Sequence, residues 1–89
     1  MAKLLVHHIV QDYSTWRQIF DDDDKRRKEY GSNGFQVFKS VSDPNDLTVI
    51  IDYPSVEAAK AFATSEALKE KMKDAGVLSQ PEVTFLVEA

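Results

Sequence analysis

"KLLVHHIV", Lys3 to Val10, is a strand-length run rich in β-branched residues, and its two faces decide the fold. Alternation puts Leu4, Val6, His8 and Val10 on one side and Leu5, His7 and Ile9 on the other. Neither side is a solvent face, so the strand is predicted to be covered on both. Working outward, Asp12 reads as a helix N-cap and Gly31 as a left-handed stop, which predicts a helix from Tyr13 to Tyr30. "GFQVFKSVS" (Gly34–Ser42) and "DLTVIIDY" (Asp46–Tyr53) read as strands joined by the tight turn "DPND". Ser55 caps a short helix to Ala63, Ser65 restarts it to Ala75, and Gly76 ends it. "EVTFLV" (Glu82–Val87) is the last strand.

The order β-α-β-β-α-β predicts an α+β fold: a ferredoxin-like split arrangement with a four-stranded antiparallel sheet and helices on one face. Residues 1–89 make a single domain, with no room for a second core. Helices cover only one face of such a sheet, whereas the first and third strands read as apolar on both. The simplest cover for the second face is another copy of the chain across a two-fold axis, so a homodimer paired through sheet faces is expected.

Composition narrows the function classes. The chain has no cysteine, which removes disulfides, thiolate catalysis and zinc–cysteine sites together. A net charge of −4 argues against nucleic acid as a partner, because phosphate binding needs a cationic surface. No apolar run approaches membrane-spanning length and no charged-then-apolar leader opens the chain, so no membrane association and a cytoplasmic location are expected. The glycines are too scattered for a phosphate loop, and no serine sits in a nucleophile elbow.

"DDDDKRRKEY" (Asp21–Tyr30) sets four acids directly before four bases. On a helix this spacing predicts the pairs Asp21–Lys25, Asp22–Arg26, Asp23–Arg27 and Asp24–Lys28, each contributing about 0.2–0.5 kcal/mol. Most of the run is then self-neutralising helix surface, and the match of "DDDDK" to a protease-processing signal is coincidental. The same helix carries an apolar stripe of Tyr13, Trp16, Ile19, Phe20 and Tyr30. Asp23 and Arg27 fall at the centre of that stripe. They are either an ion pair whose arginine stem snorkels outward, or a polar patch in a cleft between helix and sheet.

His7 and His8 are strand neighbours, so their side chains leave opposite faces and cannot ligate one metal within one subunit. With no third ligand at helical spacing, no metal site is expected. One histidine faces the helices and the other the second sheet face; periodicity does not say which. Each is either a hydrogen-bonded interior histidine or a base or hydrogen-bond partner for a bound ligand. The aromatic residues are mostly core, with a subset able to line a pocket for a flat ligand.

"HHIVQDYSTWRQIFD", Arg27, Gly31, "DPND" and "FATSEALKEKMKDAGV…PEVTFL" together resemble small members of the dimeric α/β-barrel superfamily, the antibiotic biosynthesis monooxygenase-like or cyclase-like proteins. The resemblance runs over nearly the whole chain. It implies a ferredoxin-like protomer whose sheet pairs with a second into a dimeric α/β barrel, each subunit keeping a cleft between sheet and helices. It also implies cofactor-independent chemistry on an aromatic or polyketide-like substrate. Within it His8 would act as base or hydrogen-bond partner, Arg27 would stabilise a phenolate or enolate, Asp23 would orient Arg27, and Trp16 and Phe20 would form the pocket wall. Similar members commonly carry a histidine where this chain has Asp23, which implies that the chemistry there is altered or absent. Haem-degrading relatives use a helix histidine and an asparagine that the first helix lacks, so no cofactor is expected. The alternative is a non-catalytic ligand-binding or stress-response homodimer with the same pocket.

Overall fold

A computed structural model describes residues 1–89. In chain order it contains β1 (Ala2–Ile9), α1 (Tyr13–Asp22), α2 (Asp24–Glu29), β2 (Gly34–Lys39), β3 (Asp46–Tyr53), α3 (Val56–Ala63), α4 (Glu66–Asp74) and β4 (Glu82–Val87). The strands form one antiparallel sheet in the order β2-β3-β1-β4, the ferredoxin-like arrangement expected from the element order. No helix is long and apolar enough to cross a membrane.

Cross-strand register assigns the faces that alternation left open. Leu4 pairs with Ile51 and Phe85, Val6 with Val49 and Val83, and His8 with Leu47. Directly opposed residues share a face, and this is the face the helices bury: Leu4, Val6, His8, Leu47, Val49, Ile51 and Tyr53 are all buried. His8 therefore points into the protein. His7 points the other way, beside Thr48 of β3 and Glu82 of β4.

That second face is bare, and it is more mixed than the sequence suggested. Leu5, Ile50, Phe38 and Leu86 form its apolar part, with Phe38 48% and Leu86 37% exposed. Charges border them: Lys3 pairs with Asp52, and the His7 ring donates from Nε2 to the Asp46 carboxylate at 2.6 Å. On β3, Asp46, Thr48 and Asp52 replace the apolar residues expected there.

The helix termini follow the cap residues. Asp12 accepts from the Thr15 N–H at 3.0 Å, Ser55 from the Ala58 N–H at 3.1 Å and Ser65 from the Leu68 N–H at 3.2 Å. Gly31 stops α2 at φ +95°, where the Ser32 N–H reaches the Arg27 carbonyl and the Gly31 N–H reaches Lys28. The "DPND" turn does more than reverse the chain. Asn45 takes the Val10 N–H on its carbonyl and the Tyr13 N–H on its side-chain oxygen, both at 2.9 Å. These two bonds fix where α1 begins and so aim Trp16 at the sheet.

Two expectations are corrected. The single helix from Tyr13 to Tyr30 is broken at Asp23, which sits at φ −88°, ψ 4° between α1 and α2. The second strand ends at Lys39 instead of continuing to Ser42. The break changes the charge pairing. Only Asp24–Lys28 forms among the four predicted pairs, at 2.9 Å. The tighter turn at Asp23 brings residues three apart into contact instead: Arg26 with Asp23 at 2.6 Å and Arg27 with Asp24 at 3.2 Å. Asp21 pairs back to Arg17 at 3.0 Å.

Candidate active site

A cavity lies between the sheet and the helices. The sheet supplies Val6, His8, Val49 and Ile51, α1 supplies Trp16, Ile19 and Phe20, and Asp23 and Arg27 come from the break and α2. Phe62 and the α4 side chains Leu68, Lys71 and Met72 close it. All five residues singled out in the sequence, His8, Trp16, Phe20, Asp23 and Arg27, thus line one space. Its volume is about 50 Å³, room for a few water molecules and well short of the ~150 Å³ that accommodates benzene in an engineered cavity.

The site is organised as a row. His8 lies 5.7 Å from Trp16 between ring centroids; Trp16 stacks on Phe20 at 4.8 Å; and the Arg27 guanidinium carbon sits 3.7 Å from the Phe20 ring centre. Trp16 and Phe20 share a face because they are four apart on α1. Arg27 joins them because the chain turns at Asp23. Phe20's carbonyl accepts the Asp23 N–H at 3.2 Å and Arg27 Nη1 at 2.8 Å. A cation over the last carbonyls of α1 also meets the negative end of its dipole. Arg27 is only 2% exposed, so it is an interior cation and not a snorkelling one.

The expected role of Asp23 in orienting Arg27 is not what the side chains do. Asp23 forms a two-point pair with Arg26, whose Nε and Nη2 donate at 3.0 and 2.6 Å. Arg26 in turn reaches Ser65 at 3.4 Å and lies 5.2 Å from the Phe62 ring centre. Asp23 therefore ties the helix break to the α3–α4 junction. Arg27 is held by Asp24 and the Phe20 carbonyl. The Asp23 side chain acts on it only as a nearby negative charge.

Four buried polar atoms have no hydrogen-bond partner: both ring nitrogens of His8, Nε of Arg27 and the hydroxyl of Tyr53. Interior polar atoms are nearly always paired; of these residues His8 and Arg27 line the cavity and Tyr53 does not, so the unpaired nitrogens mark the cavity as a place for something polar. Burial holds the His8 pKa down at about 4, with the nearby His7 charge lowering it further. His8 is therefore a neutral imidazole at pH 7. Burial likewise raises the Tyr53 pKa, partly offset by the Arg27 charge, and lowers that of Arg27 against the pull of Asp24 and Asp23. Tyr53 was read from the sequence only as an aromatic of the third strand. The aromatics were read as mostly core, and nothing in the pattern showed that its hydroxyl lacks a partner.

No protein-family profile matches the sequence, and no curated protein does. Solved structures do match. A Bordetella bronchiseptica protein provisionally described as an antibiotic biosynthesis monooxygenase superposes with a TM-score of 0.82 at 16% identity, covering 99% of this chain and 96% of its own. A second structure described as an antibiotic biosynthesis monooxygenase gives 0.74 at 15% identity, over 100% and 99% of the two chains. SnoaB, a cofactor-independent oxygenase from Streptomyces nogalater, gives 0.78 at 9% identity, over 99% and 92%. At such identities the likeness concerns the backbone path alone. This chain adopts the ferredoxin-like fold of the antibiotic biosynthesis monooxygenase-like structures.

Proposed function

We propose that the protein binds a flat, hydroxyl-bearing aromatic molecule along the His8–Trp16–Phe20–Arg27 row and oxygenates it without a cofactor. The observation that carries this reading is the pairing of an apolar aromatic row with unpartnered polar atoms at both ends, His8 and Arg27 Nε. The likeness to SnoaB, described as a cofactor-independent oxygenase, supports the reaction class. In that chemistry the substrate supplies the electrons. A ring methylene activated by an adjacent phenolate or enolate is converted to a carbonyl, one atom of dioxygen being kept and the other leaving as water. His8 takes the substrate proton, Arg27 stabilises the resulting oxyanion, and Trp16 and Phe20 hold the ring plane.

The energetics assign the harder part to Arg27. A phenol near pKa 10 facing an imidazole near 4 leaves an uphill proton transfer of about 8 kcal/mol if neither product is paired. The imidazolium beside the oxyanion and the Arg27 cation are the two charges that offset this. The same gap favours a second reading: a homodimeric binding protein in which His8 only accepts a hydrogen bond from the ligand and no turnover follows. Oxygen uptake on a hydroxyanthrone separates the two. The oxygenase reading requires uptake with appearance of the quinone, lost in His8→Ala and Arg27→Ala. Binding without uptake favours the carrier, and turnover unchanged in both variants removes the assigned roles.

The bare sheet face supports a second copy as partner. An apolar patch of Leu5, Ile50, Phe38 and Leu86 on the open side of a small domain is surface that pairing would bury.

A further inference from the structure

The cavity is too small for the ligand proposed above, so the ligand site requires a wall that moves. Of the elements lining it, α4 is the one that contains no buried residue. Its side chains divide by angle at about 100° per residue. Lys71 and Ala75 lie on one flank, Leu68 and Met72 on the central ridge, and Lys69 and Lys73 on the other flank. The ridge faces two hollows at once. Leu68 and Met72 line the inner cavity, and the same two side chains line a groove of about 390 Å³ between α4 and the segment leading into β4. That groove includes Lys69, Lys73, Pro81 and Val83, and no acidic side chain lines it. Lys73 has no ion-pair partner, and Lys69 meets Glu66 only at 3.7 Å with both side chains largely exposed.

We propose that this groove is a second subsite, continuous with the inner cavity through Met72, and that it takes the carboxylate of an elongated aromatic acid whose ring lies against Trp16. The inference rests on the aromatic-site reading above and adds to it the ligand's charge and its route. Met72 suits a gate because its unbranched thioether turns about three bonds without disturbing the helix. Displacing it merges the two hollows along the α4 ridge. Lys69 and Lys73, one turn apart on the groove side, then present two ammonium groups to an anion that the neutral His8 end does not attract.

Calorimetric titration with 2-naphthol and 6-hydroxy-2-naphthoate at low salt tests the charge. The naphthoate is expected to bind about fivefold or more tightly than the naphthol, an advantage that added salt reduces. In Lys69→Gln/Lys73→Gln that advantage disappears while naphthol binding is unchanged. Equal affinities in the wild type, or an advantage that survives the double substitution, would overturn the subsite while leaving the aromatic-site reading intact. If neither compound binds, the aromatic-site reading falls and this inference with it. Stopped-flow mixing tests the gate. Met72→Ala is expected to speed naphthoate association severalfold, and an unchanged rate excludes Met72 as the passage.

Discussion

Arg27 donates to the carbonyl of Phe20 at 2.8 Å while its guanidinium carbon lies 3.7 Å from the centre of that residue's ring. One side chain thus closes the end of α1 and fixes the face of an aromatic that lines the cavity. The structural duty uses two of its nitrogens, Nη1 on Phe20 and Nη2 on Asp24, and leaves Nε free.

This divides stability from function at Arg27. Arg27→Met keeps most of the buried volume and removes an interior charge. Asp24 is not stranded, because Lys28 still pairs with it at 2.9 Å and its side chain is a third exposed. Replacing a buried ion by an apolar side chain of similar size is often near neutral, so we expect a stability change below about 2 kcal/mol. Ligand affinity and any turnover should be lost. Urea unfolding alongside ligand titration measures both. A loss of several kcal/mol would make Arg27 a structural keystone and remove the need for a ligand role.

Trp16 and Asp22 should behave oppositely although both lie on α1. Trp16 is 4% exposed and stacked on Phe20, so Trp16→Ala is expected to cost about 3–5 kcal/mol. Asp22 is exposed and makes no ion pair in the structure, and Asp22→Asn should shift stability by only about a few tenths of a kcal/mol. Thermal unfolding of the two variants decides it. A large effect at Asp22 would show that the acidic run does more than solvate a helix.

What the sequence makes legible depends on which physical signal each feature leaves in it. Strand and helix identities were legible because caps, turn residues and periodicity all agreed at Asp12, Ser55, Ser65, Gly31 and the "DPND" turn. The break at Asp23 was not. A residue at φ −88°, ψ 4° needs no glycine or proline, so it leaves no mark in the sequence. Missing it misassigned three of the four ion pairs and gave Asp23 to Arg27 instead of Arg26. The inward face of His8 was hidden for a different reason. Both faces of β1 carry apolar residues, and only pairing with Leu47, a register set across the whole sheet, distinguishes them. Leu68 and Met72 form a half-buried stripe packed against the core. That the same stripe separates two hollows depends on where β4 returns, beyond any local pattern.

The histidines titrate with opposite signs. Burial lowers the folded pKa of His8 to about 4, so the unfolded chain binds the extra proton first and stability falls as pH drops below about 6.5. Between pH 7.5 and 5 the expected loss is about 2 kcal/mol, before most carboxylates titrate. His7 is raised, chiefly by its hydrogen bond to Asp46. Its contribution is complete below its unfolded pKa and is lost as pH rises through the folded one. His7 is partly exposed, so that effect is small. Urea midpoints from pH 7.5 to 5 should fall on the acid side in the wild type and stay nearly level in His8→Leu. The same acid slope in both proteins would show that His8 is not held neutral by the fold.

The open sheet face gives the last prediction. Ile50 pairs with Leu5 and Gln36 on the side away from the helices and is only half-buried. In an isolated protomer, Ile50→Lys therefore removes little buried contact, and a long basic side chain at a solvated strand position costs less than about 1 kcal/mol. Across a paired sheet the same lysine would be desolvated against Leu5, Phe38 and Leu86 of a second copy, with no carboxylate directly opposite it in its own sheet. Sedimentation should give about twice the 10.1 kDa chain mass for the wild type and a single chain mass for Ile50→Lys, with circular dichroism unchanged. A monomeric wild type would end the paired-sheet assembly. A variant that stays dimeric would move the interface off this face, leaving the interior row from His8 to Arg27 as it stands.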